Sequence, residues 1–124
     1  MSWIERTILA DGKIATEMGA LTAKLLTLTS KRLIVQKKKG LFSSDYEQEY
    51  EFLLVDIVEV YAKVSGFTGT TQLILLFKDG HEWSCRFSVG GSDMLFGTLE
   101  SMSAKQRALT DRWVNAINNQ MHPR

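Results

Sequence analysis

Cysteine and proline are almost absent from this chain of 124 residues, which contains one of each. A single cysteine, Cys85, excludes an intrachain disulfide and is compatible with a reducing cytoplasm. The only proline, Pro123, stands beside the last residue, so proline interrupts none of the segments before it. Turns must therefore come from glycine and from Asp-Gly pairs.

Long hydrophobic runs are missing as well. The longest apolar stretch, Leu73–Phe77, has the length of a strand, whereas a membrane-spanning helix needs about 20 apolar residues. Charges at Glu5, Arg6 and Asp11 interrupt the N-terminal residues, which therefore lack the apolar core of a signal peptide. The sequence predicts a cytoplasmic protein.

Net charge is close to zero, with 15 Lys and Arg residues against 14 Asp and Glu residues. This balance excludes a general electrostatic attraction to nucleic acid or membrane. The aromatic residues of the predicted strands alternate with Glu as often as with Lys, which is not the pattern of a nucleic-acid-binding sheet. We therefore predict one domain, 1–124, with no nucleic-acid partner.

Residues for catalysis or metal binding are also scarce. His81 and His122 have no partners at the spacing of metal ligands. No serine or cysteine is visibly paired with a histidine and a carboxylate. The sequence predicts no enzyme activity, no metal and no cofactor, since an enzyme or small-ligand barrel would need a polar pocket that the pattern does not show.

Period-two alternation dominates the chain up to Val89 and predicts about seven antiparallel strands between Lys13 and Val89. Asp11-Gly12 and Asp79-Gly80 are expected to form tight turns. The residues predicted to share a strand face are Trp83, Cys85 and Phe87; Val58, Val60, Ala62 and Val64; and Tyr46, Gln48, Tyr50 and Phe52.

The pattern becomes helical near the C-terminus. Ser103 to Gln106 has the spacing of a capping box, which predicts a helix that begins at Ser103. Leu109, Trp113 and Ile117 then recur at helical spacing and predict an apolar face that covers the sheet. The segment Gly90–Met102 is ambiguous. The plan is α+β, mainly β.

Several motifs resemble one family when they are taken in order. "LTLTSKRLIV" at Leu26–Val35 resembles the "LTNKRLIF" motif of the GRAM and bacterial PH-like families of the pleckstrin-homology superfold. "VDIVEVYAKV", "LLFKDGHEWSCRF" and "DRWVNAI" resemble, respectively, the step into the fifth strand, the last hairpin and the C-terminal helix of that family. The resemblance implies a PH-like, partly open antiparallel barrel of about seven strands, capped by a C-terminal helix whose Trp113 closes one open end.

A basic cluster offers one candidate site. Lys37, Lys38 and Lys39 are followed by Leu41 and Phe42, and a loop of lysines with an apolar tip could contact an anionic bilayer. The alternative is a structural role, because Glu47, Glu49 and Glu51 follow at a distance that lets lysines and glutamates pair across a hairpin. We predict that the lysines mainly serve the hairpin, with at most a weak attraction to anionic membranes.

Leu73–Phe77 is apolar on both faces of its predicted strand. Leu73, Leu75 and Phe77 suit the interior, so that Ile74 and Leu76 point outward. Either another segment such as Gly90–Met102 covers them, or a second subunit does. On the second alternative, Ile74 and Leu76 form the interface of a homo-oligomer, which is the assembly that we predict.

These observations favour a non-catalytic PH-like module for protein interaction or self-assembly. The alternative is a peripheral membrane-targeting module that binds anionic lipid through Lys37–Lys39, Leu41 and Phe42. The fold itself does not decide between these functions.

Overall fold

The computed structural model describes residues 4–15, 24–40, 43–66, 69–89 and 99–122. Its elements are β1 (Thr7–Ile14), β2 (Lys24–Thr29), β3 (Arg32–Lys38), β4 (Tyr46–Leu53), a 3-10 turn (Leu54–Asp56), β5 (Ile57–Val64), β6 (Thr71–Phe77), β7 (Glu82–Cys85) and helix α1 (Leu99–Met121). The described chain is mainly β with one C-terminal helix, which confirms the predicted α+β class.

The first sheet contains four antiparallel strands in the order β1-β2-β3-β4. Ser30 and Lys31, within the "LTLTSKRLIV" motif, form the turn between β2 and β3. The Thr29 hydroxyl stabilises this turn, since it accepts hydrogen bonds from the backbone N–H groups of Lys31 and Arg32 at 3.2 and 3.1 Å. The turn thus satisfies its own backbone donors through the last residue of β2.

The second sheet contains β5, β6 and β7 in that order, all antiparallel. Asp79 and Gly80 lie between β6 and β7, so the predicted hairpin is confirmed. Gly80 has a φ of 91°, a conformation that glycine adopts without strain. The Asp79 carboxylate accepts a hydrogen bond from the backbone N–H of His81 at 2.9 Å and closes the turn.

The two sheets meet through β1 and the residues that follow β7. Ile14 pairs with Phe87 in an isolated antiparallel bridge. Two hydrogen bonds flank it, from Ala15 N–H to the Arg86 carbonyl at 2.7 Å and from Ser88 N–H to the Lys13 carbonyl at 2.8 Å. At the opposite corner β4 and β5 do not pair with each other, so the two sheets do not form a closed barrel.

Helix α1 packs on β5, β6 and part of β1 and completes the core. Trp113 is 2% exposed and stacks on Phe87 with ring centroids 5.5 Å apart. Ile117 is fully buried, and Leu109 packs against the same core. Leu109, Trp113 and Ile117 therefore form the face that the helix buries.

The prediction of a turn at Asp11-Gly12 is wrong, because both residues lie inside β1. The register of β1 against β2 shifts between Leu9 and Gly12, and Asp11 has a φ of 60°. This is a bulge, a feature that favours the same residues as a turn. Gly12 is required there for space, because a Cβ atom on it would lie 2.5 Å from Cζ2 of Trp113.

The predicted start of the helix is also wrong, since α1 begins at Leu99 rather than at Ser103. In a capping box the Gln106 side chain would turn back toward Ser103. Instead the Gln106 side chain accepts a hydrogen bond from the Thr71 N–H at 2.9 Å and donates one to the Phe87 carbonyl at 3.0 Å. Of the ambiguous segment Gly90–Met102, residues 99–102 belong to the helix and residues 90–98 lie outside the described part of the chain.

Bulges also break the alternation predicted for β4 and β5. The register of β3 against β4 shifts at Glu49, so that no residue of β3 lies directly opposite Glu49. The register of β5 against β6 shifts in the same way at Val58, which has no residue of β6 directly opposite it. Val58 is therefore 58% exposed, and Val64 at the end of the strand is 43% exposed. The predicted apolar face of β5 is wrong at both positions.

Candidate functional site

The basic cluster lies at the end of the β3–β4 hairpin. Lys37 stands opposite Glu47, as the spacing of lysines and glutamates predicts. The Nζ of Lys37 is 3.9 Å from Oε1 of Glu47, and each side chain is nearly half exposed. An exposed pair at this distance contributes about 0–1 kcal/mol to stability.

Glu49 and Glu51 are paired with other cations. The Nζ of Lys24 lies 2.7 Å from Oε1 of Glu49, and Nη1 of Arg32 lies 3.0 Å from Oε1 of Glu51. Within the described ranges no ion pair joins Lys38 or Lys39 to an acidic residue. The glutamates therefore neutralise the basic cluster less than the sequence predicts.

Arg32 connects three parts of the first sheet. Besides Glu51 it contacts Glu5, with Nε 2.8 Å from Oε2, and the Thr29 hydroxyl donates to the same Glu5 oxygen. The hydrogen bond from Arg32 is the main reason that the pKa of Glu5 lies below its ordinary value. This arrangement fixes the segment before β1 on the β2–β3 turn, which is a structural role.

The apolar part of the predicted lipid contact, Leu41 and Phe42, lies outside the described residues. The structure therefore describes only the lysines of that candidate site. Lys37 and Lys39 are exposed and Lys38 is half-buried. Contact of this loop with anionic lipid stays a prediction.

Ile74 offers no exposed apolar surface in the single chain. Ile74 lies on the opposite face of β6 from the core residues Leu73 and Leu75, yet it is only 2% exposed in the single chain. Leu76 is half-buried. Other parts of the same chain therefore cover Ile74, which was one of the two alternatives. The homo-oligomer itself stays a prediction.

Exposed apolar side chains concentrate elsewhere, on what we call the β4–β5 surface. Among the described residues, the large apolar side chains of this surface that are exposed are Tyr50 (49%), Leu53 (45%), Val55 (68%), Val58 (58%) and Val64 (43%). Outside this surface, the described chain exposes only Ile4 to a similar extent. Sequence reasoning missed the surface because it assigned Val58 and Val64 to a buried face, whereas Val58 lies in the bulge of β5 and Val64 is exposed at the end of the strand.

An open cleft of about 690 Å³ separates the end of β4 from the β6–β7 hairpin. Phe52 and Phe77 line it, with ring centroids 5.1 Å apart. The remaining lining residues are Glu51, Leu53, Asp56, Lys78, Asp79 and His81. This lining mixes apolar side chains with charges of both signs.

The titratable groups near the cleft make structural contacts. Nδ1 of His81 lies 2.8 Å from Oδ2 of Asp79, and this contact raises the pKa of His81 and lowers that of Asp79.

Cys85 is buried, and burial raises the pKa of its thiol to about 12, so that it stays protonated and unreactive. The described residues contain no group of three or more His, Cys, Asp or Glu side chains that could hold a metal ion.

No helix in the described part of the chain is long and apolar enough to cross a membrane. Comparison of the chain with protein-family models, with curated proteins and with solved structures finds no match. The surface of the molecule is therefore the remaining guide to its function.

Proposed function

We propose that this protein is a non-catalytic, PH-like interaction module of the cytoplasm that binds protein partners through the β4–β5 surface. The observation that carries the proposal is the concentration of exposed apolar side chains on β4, the 3-10 turn and β5. These two strands are the outer edges of their sheets. Several exposed apolar side chains beside an unpaired strand edge are typical of a surface that binds another polypeptide.

The apolar residues of this surface adjoin a second hollow, of about 360 Å³. Leu53, Leu54 and Val55 line it on one side and Met121, from the end of α1, on another. A partner side chain placed here would contact the turn and the helix at once. Val55 is the most exposed of these residues and the best position for a test.

The PH-like assignment is part of the proposal. It is supported by the seven antiparallel strands and the C-terminal helix that follows them, since the resemblance to GRAM and bacterial PH-like domains implies about seven strands capped by such a helix. This architecture hosts binding functions of several kinds, so the choice of a protein partner depends on the β4–β5 surface and not on the fold.

The test compares Val55→Lys with Ile4→Lys, a control at an apolar residue that is 75% exposed and is not part of the β4–β5 surface. Cross-linked partners are captured from cells that express each variant, and a second copy of the chain counts as a partner. We expect Val55→Lys to lose partners that the unmodified protein and Ile4→Lys retain. Equal capture by all three proteins would contradict the proposal.

Membrane contact through Lys37–Lys39, Leu41 and Phe42 is a second candidate function. It is favoured by one observation, that Lys38 and Lys39 make no ion pair with the described acidic residues. Basic residues near an anionic surface contribute about 1 kcal/mol each, and this attraction weakens with salt. The expected contact is weak and not selective for one headgroup.

A triple replacement of Lys37, Lys38 and Lys39 by serine tests this candidate. We expect a small loss of thermal stability, because only the Lys37–Glu47 pair is lost. Sedimentation with anionic vesicles should show at most weak, salt-sensitive binding of the unmodified protein. Tight binding to one phosphoinositide that the triple change abolishes, with stability unaffected, would favour membrane targeting over the proposed function.

A further inference from the structure

Strand β5 is an unpaired edge of the second sheet. It pairs with β6 on one side, and among the described residues no strand pairs with its other side. It runs for eight residues without proline, and Val58, Glu59, Lys63 and Val64 are exposed. Edges of this length are usually protected against pairing with another chain.

The sequence of this edge is complementary to itself. From Val58 to Val64 it reads V-E-V-Y-A-K-V, with Tyr61 at the centre. In an antiparallel pair of two copies centred on Tyr61, Glu59 of each copy lies opposite Lys63 of the other. Opposite charges in this position stabilise a strand pair.

The apolar residues follow the same symmetry. Val60 would lie opposite Ala62 of the second copy, and the exposed Val58 opposite the exposed Val64. Because Val58 lies in the bulge of β5, the regular part of the pairing extends from Glu59 to Lys63. The two-fold axis repeats every contact, so each favourable pair occurs twice.

The other long open edge has the opposite character. β4 carries three acidic residues, Glu47, Glu49 and Glu51, and no lysine or arginine, so two β4 strands brought together would bring like charges together. The bulge at Glu49 also interrupts the middle of this edge, and bulges hinder pairing with another strand. Of the two edge strands β4 and β5, only β5 is therefore suited to self-association.

We propose that two copies of the chain associate through their β5 strands, antiparallel and centred on Tyr61, to form a continuous six-stranded sheet. This inference rests on the proposed function and names its partner as a second copy. It moves the predicted homo-oligomer interface from Ile74 and Leu76 on β6 to the free edge of β5.

Charge exchange provides the decisive experiment. Glu59→Lys places lysine opposite lysine, and Lys63→Glu places glutamate opposite glutamate, twice in each dimer. We expect sedimentation and light scattering to show self-association of the unmodified protein and association weaker by about tenfold or more for each single variant. An equimolar mixture of the two variants should regain the dimer, and so should the double variant Glu59→Lys/Lys63→Glu. Glu82→Lys, an exposed change on β7, is the matched control that should leave the dimer intact.

Cysteine cross-linking tests the register. Opposite residues of antiparallel strands have Cα atoms about 4.5–5.5 Å apart, within the range of a disulfide. Tyr61→Cys should therefore form a disulfide-linked dimer under mild oxidation. Lys63→Cys should not, because its symmetry mate is displaced by four residues, about 13 Å along the strand. The native Cys85 is buried and present in both variants.

A monomer at every concentration would overturn the inference, as would a dimer that neither single charge change weakens, or equal cross-linking at positions 61 and 63. These outcomes do not decide the proposed function. A monomeric protein that still captures a Val55-dependent partner would refute pairing through β5 and leave the interaction module supported.

Discussion

Gly12 is the described glycine at which a side chain would have least room. A Cβ atom there would lie 2.5 Å from Cζ2 and 2.9 Å from Cε2 of Trp113, and both atoms belong to a buried ring. We expect Gly12→Ala to lower the free energy of unfolding by about 1–3 kcal/mol, the usual cost of overpacking a core.

Thermal unfolding followed by circular dichroism measures this loss. Gly66→Ala is the matched control, because a Cβ atom on Gly66 meets nothing within 4 Å. If the two variants melt at the same temperature, Trp113 does not pack against β1 as described.

His81 and Asp79 at the tip of the β6–β7 hairpin predict a small dependence of stability on pH. The pKa of His81 is raised above its ordinary 6.5, so its contribution is full below pH 6.5 and is lost as the pH rises through the raised value. The pKa of Asp79 is lowered from 3.8, so its contribution is present above pH 3.8 and is lost as the pH falls through the lowered value.

Asp79→Asn isolates this effect, because asparagine can still accept the hydrogen bond from the His81 N–H that closes the turn. The melting temperatures of the two proteins should differ most between pH 3.8 and 6.5 and converge at alkaline pH. A difference that is constant with pH would show that the ion pair does not form in solution.

The sequence predicted several individual residues correctly. Trp113 and Ile117 recur at helical spacing among polar residues, and both are buried. Gln106 shows the opposite case. Its spacing from Ser103 indicated a cap, whereas its contacts are to Thr71 and Phe87, distant in sequence. A local pattern cannot predict a side chain whose partners come from other elements.

At the scale of elements, the side chain of Gln106 hydrogen-bonds helix α1 to both β6 and the segment after β7. Gln106→Ala removes the side-chain acceptor of Thr71 N–H and the side-chain donor to the Phe87 carbonyl. We expect a loss of about 1–3 kcal/mol, because backbone groups of the buried residues Thr71 and Phe87 lose their partners.

Hydrogen exchange gives a second measurement of the same contact. The Thr71 amide should exchange faster in Gln106→Ala than in Asn119→Ala, a control at an exposed position of the same helix. Unchanged protection of Thr71 would mean that another group accepts its hydrogen bond.

Hairpins were predictable and bulges were not. Asp79-Gly80 and Ser30-Lys31 each stand between two alternating runs, and this local pattern is sufficient to place a turn. A bulge inserts one residue and reverses the faces of the residues beyond it, and neither Glu49 nor Val58 carries a glycine or turn signal that would mark one. These two bulges therefore escaped prediction, and with them the exposure of Val58.

For the whole molecule, Trp113 is the residue that connects both sheets to the helix. It stacks on Phe87 after β7 and packs against Gly12 in β1. Truncation of a buried tryptophan typically costs about 3–5 kcal/mol, a large part of the stability of a domain of this size. We expect Trp113→Ala to unfold the protein or to lower its melting temperature severely.

Arg112→Ala, an exposed change one residue away on the helix, is the control for Trp113→Ala. Strand and helix signals should be lost in one transition, because the helix and both sheets share one core. A melting temperature unchanged by Trp113→Ala would show that the helix is not docked through this residue.

The class of the fold followed from the sequence because alternation and helical spacing are strong over long segments. The sequence did not predict that β4 and β5 would remain unpaired with each other. Which strand edges remain unpaired depends on how the two sheets pack around the core. The burial of Ile74 could not be predicted for the same reason, because it also depends on tertiary packing. Its alternation placed it correctly on the outer face of β6, but its cover is supplied by tertiary structure.

The bridge between Ile14 and Phe87 has a consequence for the order in which the chain folds. The two residues come from opposite ends of the β-rich part of the chain, so closing this contact encloses nearly all of the strands in one loop. Closing so large a loop is entropically costly and is favoured only after the intervening hairpins have formed. During synthesis, β1 leaves the ribosome before the other strands. The bridge between Ile14 and Phe87 can form only after Phe87 has also left the ribosome. We therefore expect the joining of the two sheets to be the slow step of folding, with the apolar residues of β1 accessible to other chains until it occurs.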